Sequence, residues 1–262
     1  MDTKGGQVPT VALVIAHRGA SCDAPENTLA AVNLGWERQA DAVEVDVHLS
    51  RDRRVIVIHD PTTTRTAGQG GAVADQTLEQ LKHLDVGRHK GARWEGERMP
   101  TLEEVLETVP EGRRLFVEIK CGREILGPLE AALAGSPLGA EQVVLIGFGL
   151  DTMTAVKRRL PEHPVCWLSG LREHAENESW KRTADELLAT VRQAGLDGLS
   201  VLACAAVDRP FVERVHAAGL RLYVWTVDDA AEARRLLSAG VDGITTNRPG
   251  WLRGKLPPTA DL

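Results

Sequence analysis

Two runs of the sequence carry charged side chains at a spacing that puts them on one face of a β-strand. Residues two apart in a strand share a face, so Glu44 and Asp46 in AVEVDVHL point the same way, opposite to the intervening valines. Glu118 and Lys120 repeat this spacing in RLFVEIK. If the two strands are neighbours, three carboxylates converge. Ionised carboxylates are costly to bury unpaired, so we expect them to bind one divalent cation, either Mg²⁺, Ca²⁺ or Mn²⁺.

A salt-bridge cluster inside the fold is the alternative interpretation of the same residues. Lys120 would then neutralise one carboxylate, and no ion would be needed. A single strand would favour this alternative, whereas the repetition on a second strand favours the metal site. His48 shares the face of Glu44 and Asp46, and the sequence leaves open whether it lines the site or lies behind it.

Two histidines fall where catalytic groups are expected. His17 ends the first apolar run and is followed by Arg18 and Gly19, while His59 and Asp60 end a later one. Histidine transfers protons near neutral pH, and arginine presents a fork of donors that matches phosphate oxygens. With a cation between them, such histidines could activate a nucleophile and protonate a leaving alkoxide. These are the groups that hydrolysis of a phosphodiester requires.

The scaffold that would bring these residues together is an alternation of strands and helices. Eight β-type runs are VALVIA (11–16), AVEVDVHL (42–49), RLFVEIK (114–120), QVVLIGF (142–148), PVCWLS (164–169), GLSVLA (198–203), RLYVWTV (221–227) and DGITTN (242–247). Amphipathic helical runs lie between most of them, which is typical of βαβ units. We predict a TIM-type (β/α)8 barrel of the α/β class, which places catalytic groups at the carboxyl ends of its strands. The alternative, an open doubly wound sheet, lacks its diagnostic GxGxxG turn.

Local signals mark the ends of several helices. Asn27 is predicted to be the N-cap of the first helix. Thr101 and Glu104 have the spacing of a capping box, and Gly240 is expected to end the helix before the last strand.

One β-type run, RVIVIHD (54–60), begins too soon after the second strand for a parallel crossover, which needs a dozen or more residues. We predict a hairpin that ends at His59. The segment from about 60 to 100 is long for a βα connection and is predicted to be a small insertion or lid. The length of 262 residues suits one catalytic barrel domain over 1–262.

Composition limits the partners. The net charge of −6 argues against a nucleic-acid partner held by a basic face. No apolar run reaches the length of a membrane span, so no stable membrane insertion is expected. Four scattered cysteines without a CxxC pair, together with no secretory pattern, favour free thiols in the cytoplasm.

An ordered set of short motifs resembles the glycerophosphodiester phosphodiesterase family from about residue 13 to 249. The motifs are HRG (17–19), PENT (25–28), EVDV to HD (44–60), RT (65–66), PTL (100–102), VEIK (117–120), VWT (224–226) and GVDGITTN (240–247). Each motif is weak alone, but their ordered combination is highly specific.

The resemblance implies roles for the residues that match the family's motifs. His17 and His59 match its catalytic pair, and Glu44, Asp46 and Glu118 match its metal ligands. The implied reaction is hydrolysis of glycerophosphodiesters to glycerol 3-phosphate and an alcohol, a step in lipid and glycerol metabolism, so a small-molecule phosphodiester is the expected substrate.

Further positions are implied to contact the substrate. Arg18 and Lys120 match phosphate-holding positions, and Trp225 matches an aromatic side chain at the mouth of the site. The sequence departs from the family in the hairpin turn, at 52–53, and at the end of the fourth strand, at 147–148. The second departure bears on the pocket, and thus on substrate choice more than on reaction type.

Two other functions compete with this one. A lipid-directed phosphodiesterase of the same barrel type would need an exposed apolar rim. A non-catalytic metabolite-binding barrel would not need both histidines beside the carboxylates. Trp167 is expected in the core and Cys121 as an apolar filler; the alcohol, the physiological metal and the oligomeric state are left open. Surface positions are expected for the remaining histidines: His83, His89, His163, His174 and His216.

Overall fold

A computed structural model describes residues 12–68, 70–171 and 181–256 of the chain. The strands are β1 (Leu13–His17), β2 (Ala42–Leu49), β3 (Val55–Val57), β4 (Arg114–Ile119), β5 (Val143–Gly147), β6 (Val165–Leu171), β7 (Lys181–Arg182), β8 (Gly198–Leu202), β9 (Arg221–Trp225) and β10 (Gly243–Thr246). Within this part of the chain all eight predicted barrel strands are present, with ends that differ by a few residues. Val11 and His174 lie outside the described residues.

The α-helices alternate with these strands. They are α1 (Leu29–Glu37), α2 (Thr64–Ala67), α3 (Leu78–Lys82), α4 (Leu102–Leu106), α5 (Leu126–Ala134), α6 (Leu150–Arg159), α7 (Ala184–Ala194), α8 (Arg209–Ala217), α9 (Ala230–Ala239) and α10 (Pro249–Arg253). Short 3₁₀ turns cover Val73–Asp75, Arg88–Lys90, Ala92–Trp94, Arg123–Ile125 and Ala140–Gln142.

Eight parallel strands close into a barrel in the order β1-β2-β4-β5-β6-β8-β9-β10, and β10 pairs again with β1. The predicted TIM-type (β/α)8 barrel is therefore confirmed. The alternation within β2 is confirmed as well, because Val43, Val45 and Val47 pack in the apolar layer under the helices. A second, smaller apolar cluster that includes Phe116 and Tyr223 fills the barrel interior.

The short strand β3 pairs antiparallel with β2, as the hairpin prediction required. Its turn passes through Arg53, whose φ is +62°. The chain from β3 to α4 then carries α2, α3 and three of the 3₁₀ turns, packed around its own apolar cluster. A role of this segment as a lid stays a prediction.

The predicted helix ends are confirmed in two places and wrong in one. Thr101 and Glu104 form a reciprocal capping box, and Gly240 ends α9 with a φ of +99°. Asn27, however, is not the N-cap of α1. Thr28 is the N-cap, since it has the extended backbone and accepts a hydrogen bond from the amide of Ala31. The Asn27 side chain is hydrogen-bonded to Asp46 instead.

Three strands are each preceded by an aspartate whose side chain accepts a hydrogen bond from the neighbouring strand. Asp41 accepts a hydrogen bond from the Val14 amide at 2.8 Å, and Asp197 accepts one from Val165 at 2.8 Å. Asp242 accepts one from the buried Leu222 amide at 2.7 Å, and Arg221 and His216 pair with the same carboxylate at 2.9 Å. At this end of a TIM barrel such interactions contribute to stability.

We predict that Asp242→Ala lowers the free energy of unfolding by about 1–3 kcal/mol, because it leaves the buried amide of Leu222 without its acceptor. Denaturant unfolding measures this loss, with the exposed Asp75→Ala as a control that should change stability little. The kcat of the folded variant should match that of the wild type, since Asp242 lies at the end of the barrel opposite to the catalytic one. Unchanged stability would contradict the proposed contribution of this aspartate.

Candidate active site

Three carboxylates converge at the carboxyl ends of β2 and β4. Asp46 is the register partner of Glu118 between these strands, and Glu44 is the partner of His17 between β2 and β1. Glu44, Asp46 and Glu118 are 3, 0 and 9% exposed. One oxygen of each lies within 4.8 Å of those of the other two. The structure thus brings together the three carboxylates that the strand spacing predicted.

Burial makes these carboxylates hard to ionise together. It raises the pKa of Glu44 well above its usual value, and the charges of Asp46 and Glu118 act in the same direction. Burial and Asp46 likewise raise the pKa of Glu118 to about 7. Two buried oxygens, Glu44 Oε1 and Asp46 Oδ1, accept no hydrogen bond. Such oxygens suit a site for a hard cation.

Two basic side chains partly neutralise the three carboxylates. Lys120 Nζ lies 2.7 Å from Glu118 Oε1 and 3.6 Å from Asp46 Oδ1. Arg18 Nε lies 3.1 Å from Asp46 Oδ2. The pairing of Lys120 that the salt-bridge alternative predicted is present, but the two basic side chains are fewer than the three carboxylates.

The loop after β1 is shaped around its glycine. Arg18 has a φ of +55° and Gly19 one of +78°. A Cβ on Gly19 would lie 2.4 Å from the backbone of Ala31 in α1, so only glycine fits. This turn directs the Arg18 amide to Glu44 Oε2 at 2.9 Å.

Asn27, in the PENT segment (25–28), contacts one of these carboxylates from the loop after β1. Asn27 donates from Nδ2 to Asp46 Oδ2 at 2.8 Å, and its Oδ1 accepts a hydrogen bond from the Asp46 amide at 3.1 Å. Asn27 adopts a φ of +58°, which asparagine tolerates better than most residues. In the sequence, Asn27 belongs to the PENT motif and has the local signal of a helix cap, but neither identifies its partner, which lies on β2, 19 residues away.

His17 is fixed through its Nδ1 atom. Nδ1 donates to Asn247 Oδ1 at 2.7 Å, and Ser21 Oγ donates to the same oxygen at 3.0 Å. Burial is the larger cause that lowers the pKa of His17 below its usual value, and the positive charge of Arg18 lowers it further. Asn247 was part of a recognised motif, but no spacing in the sequence linked it to a residue 230 positions earlier.

His59 is fixed in the same way by a carboxylate. Its Nδ1 donates to Asp60 Oδ1 at 2.6 Å. Arg65 binds Asp60 Oδ2 through Nε at 2.7 Å, and its hydrogen bonds lower the pKa of Asp60 to about 2. Behind His59, the Nε2 atom of His48 donates to the His59 carbonyl at 3.1 Å, so His48 contacts the backbone of the loop that carries His59.

An ion network joins the two sides of the site. Arg65 also binds both oxygens of Glu26, at 2.8 and 2.9 Å, and Glu26 accepts a hydrogen bond from Arg18 at 2.9 Å. Burial acts to raise the pKa of Glu26, but the hydrogen bonds from Arg65 and the charge of Arg18 overcome it and lower the pKa to about 2. The chain of contacts thus runs from His59 through Asp60, Arg65 and Glu26 to Arg18.

A cavity of about 250 Å³ lies above the carboxylates. Its polar side is lined by His17, Arg18, Glu44, His59, Glu118 and Lys120. Its apolar side includes Phe148 and Trp225, whose rings meet edge to face with centroids 5.7 Å apart. The Trp225 indole donates to the Ser200 carbonyl at 3.1 Å, which fixes its orientation. All eight site residues predicted from the sequence therefore lie at or directly beneath one cavity.

The remaining expectations concern residues away from this cavity. Trp167 is 6% exposed and belongs to the core, as predicted. All four cysteines lie in the described residues and are free thiols, and burial raises the pKa of Cys121 to about 11. His216 is an exposed residue that pairs with Asp242, at the amino end of the barrel. Among the described residues, no helix is both long and apolar enough to cross a membrane.

Comparison with known proteins agrees with this geometry. The profile of the glycerophosphoryl diester phosphodiesterase family matches residues 17–251. A glycerophosphodiester phosphodiesterase of Caldanaerobacter subterraneus subsp. tengcongensis is 34% identical over 244 residues, covering 92% of this chain and 96% of that protein. One from Bacillus subtilis is 29% identical over 257 residues, covering 92% of this chain and 85% of the other.

Solved structures of similar proteins have the same barrel. An Oleispira antarctica phosphodiesterase, in complex with the product sn-glycerol-3-phosphate, matches with a TM-score of 0.82 at 27% identity, covering 94% of this chain and 96% of the other. A glycerophosphodiester phosphodiesterase of Agrobacterium tumefaciens matches with a TM-score of 0.74 at 25% identity, covering 93% and 99%. This chain therefore belongs to the glycerophosphoryl diester phosphodiesterase family, whose members are hydrolase enzymes.

Proposed function

We propose that this protein hydrolyses glycerophosphodiesters to glycerol 3-phosphate and an alcohol, using one divalent cation and a pair of histidines. The observation that carries the proposal is the convergence of three buried carboxylates, two of them with an oxygen that accepts no hydrogen bond, at a cavity lined by His17 and His59. The similar Oleispira antarctica structure contains the product sn-glycerol-3-phosphate. Release of such a phosphate from a diester would use a metal, two cationic side chains and an acid/base pair.

The metal proposal rests on the fit of the donor atoms. Glu44, Asp46 and Glu118 offer only oxygen, which Mg²⁺, Ca²⁺ and Mn²⁺ prefer. Glu44 Oε1 and Asp46 Oδ1 have no hydrogen-bond donor, and only two basic side chains, Lys120 and Arg18, face the three carboxylates. Bound there, a divalent cation would offset the negative charge of the phosphoryl oxygens.

His17 has the properties of a proton acceptor. Its Nδ1–H is committed to Asn247, so the proton is exchanged at Nε2. Because burial and Arg18 lower its pKa, the ring is neutral near pH 7 and Nε2 is free to accept a proton from the attacking group. A nearby cation would favour the neutral form further.

His59 has the surroundings of a proton donor. Asp60 accepts a hydrogen bond from its Nδ1 and stays ionised, because Arg65 lowers the pKa of Asp60 to about 2. This carboxylate holds the ring through Nδ1 and leaves Nε2 for proton transfer. We assign protonation of the leaving alkoxide to His59.

The remaining lining residues would hold the substrate. Arg18 and Lys120 line the cavity while paired with carboxylates, and both are suited to bind phosphate oxygens. Trp225 and Phe148 form the apolar wall, which would contact the organic part of the diester. Phe148 is 44% exposed, and it is the only exposed large apolar side chain among the described residues, so it does not form an apolar rim suited to a bilayer.

The segment between β3 and α4 would belong to the same catalytic domain. Arg65 in α2 connects Asp60 with Glu26. Lys90 and Arg93 donate to backbone carbonyls of the loop that follows His17 and Arg18, at 2.6 Å each. We therefore propose one domain in which this segment supports one side of the active site.

We predict that activity requires a divalent cation. Exhaustive chelation should abolish hydrolysis, and Mg²⁺, Ca²⁺ or Mn²⁺ should restore it. Glu44→Gln should weaken cation binding by at least about tenfold in titration calorimetry, since it removes a charged ligand. Glu111→Gln, an exposed glutamate at the opposite end of β4, is the matched control. Full activity after chelation would refute the metal role.

We predict that His17→Ala and His59→Ala each lower kcat by about 10²–10⁴-fold, the usual contribution of general acid or base catalysis. KM should change far less, because Arg18 and Lys120 still bind the phosphate. Phosphorus NMR of a panel of glycerophosphodiesters should identify glycerol 3-phosphate as the product. The exposed His83→Ala serves as the control.

The pH–rate profile separates the two roles. The wild type should give a bell whose acidic limb lies below pH 6.5, because the pKa of His17 is lowered from that value. His17→Ala should lose the acidic limb and His59→Ala the alkaline limb. If both variants kept near-normal kcat across the pH range, neither histidine would be catalytic.

A further inference from the structure

The ring of His17 is held by an amide whose own direction is set by a second residue. Asn247 Oδ1 accepts a hydrogen bond from His17 Nδ1 at 2.7 Å, and Asn247 Nδ2 donates to Asp228 Oδ2 at 2.6 Å. An ionised carboxylate accepts hydrogen bonds but cannot donate them. The Asn247 side chain must therefore turn its NH₂ group towards Asp228. The oxygen end must therefore face His17, and Ser21 Oγ donates to that oxygen as well.

Asp228 is itself held in place by two further hydrogen bonds. Its Oδ1 atom accepts from the backbone amide of Asn247 at 2.9 Å and from Thr246 Oγ1 at 2.8 Å. Thr246 is fully buried at the end of β10. Asp228 follows β9, and the amide of Val227 binds the Thr245 carbonyl at 2.9 Å. Both oxygens of Asp228 are thus aimed by two adjacent strands of the barrel.

We propose that Asn247 and Asp228 are positioning residues that fix His17 in the tautomer with hydrogen on Nδ1, which leaves Nε2 for the substrate. The other tautomer would set the Nδ1 lone pair against the Asn247 oxygen at 2.7 Å, two acceptors facing each other. The amide cannot relieve this by turning over, because its oxygen would then face Asp228.

Neither residue belongs to the lining of the cavity, so both act through His17 and not on the substrate. Loss of either should lower kcat without a matching change in KM. Outer partners of this kind typically change activity by about 10–100-fold. The proposal rests on the role of His17 proposed above, but the tautomer itself is measurable without turnover.

The first experiment reads the tautomer by nitrogen NMR on the full chain labelled with ¹⁵N-histidine, at alkaline pH where the imidazoles are neutral. The His17 signals are those missing from His17→Ala. Wild type should carry hydrogen on Nδ1, and so should His83→Ala, a control at an exposed histidine that leaves the Asn247 and Asp228 contacts intact. Asn247→Leu and Asp228→Ala should shift the population towards hydrogen on Nε2.

The second experiment measures kcat and KM. Asn247→Leu and Asp228→Ala should each lower kcat by about 10–100-fold, and neither should lower it further in the His17→Ala background. Should Asn247→Leu fail to fold, Asp228→Ala carries the same test from a more exposed position.

Three results would overturn the proposal. Wild-type His17 with hydrogen on Nε2 would refute the tautomer, and unchanged kcat in both single variants would refute the positioning role. A loss that persists in the His17→Ala background would assign the residues a general structural role. If His17→Ala itself kept full activity, the catalytic role of His17 would fail, while the NMR result would still decide what sets its tautomer.

Discussion

Three carboxylates buried within 4.8 Å of one another are the constraint on which the rest of this site depends. Burial raises the pKa of Glu44 and Glu118, and repulsion from the neighbouring negative charges raises it further. Such a cluster is tolerated only where positive charge and hydrogen-bond donors reach it. Arg18 and Asn27, both in left-handed backbone conformations, supply donors from the loop after β1, and Lys120 supplies a charge from the end of β4.

The basic groups beside these carboxylates also connect them to the carboxylate that holds His59. Arg18 contacts Asp46 on one side and Glu26 on the other, and Arg65 carries the alternation of charge on to Asp60 beside His59. His59 is held at Nδ1 by Asp60 within this network, whereas His17 is held at Nδ1 by Asn247 through a separate set of hydrogen bonds. Charge neutralisation at the carboxylates and the orientation of His59 thus depend on connected contacts.

The features that the sequence predicted are those with a local or strand-periodic signal. The alternation in β2 separates Val45, in the layer under the helices, from Asp46 inside the barrel, and the capping box at Thr101 depends on residues three apart. Asn27 was assigned wrongly because its local signal is that of a cap, while its real partner, Asp46, comes from another strand. The link from Asn247 to His17 spans 230 residues, so only closure of the barrel reveals it.

The two ends of the barrel use carboxylates in opposite ways. At the amino end, Asp41, Asp197 and Asp242 each accept a strand amide, so every one of them satisfies a buried donor. At the carboxyl end, Glu44 Oε1 and Asp46 Oδ1 are left without a donor, which costs stability unless a ligand supplies the missing charge. The two oxygens that accept no hydrogen bond thus lie at the end of the barrel that carries the cavity.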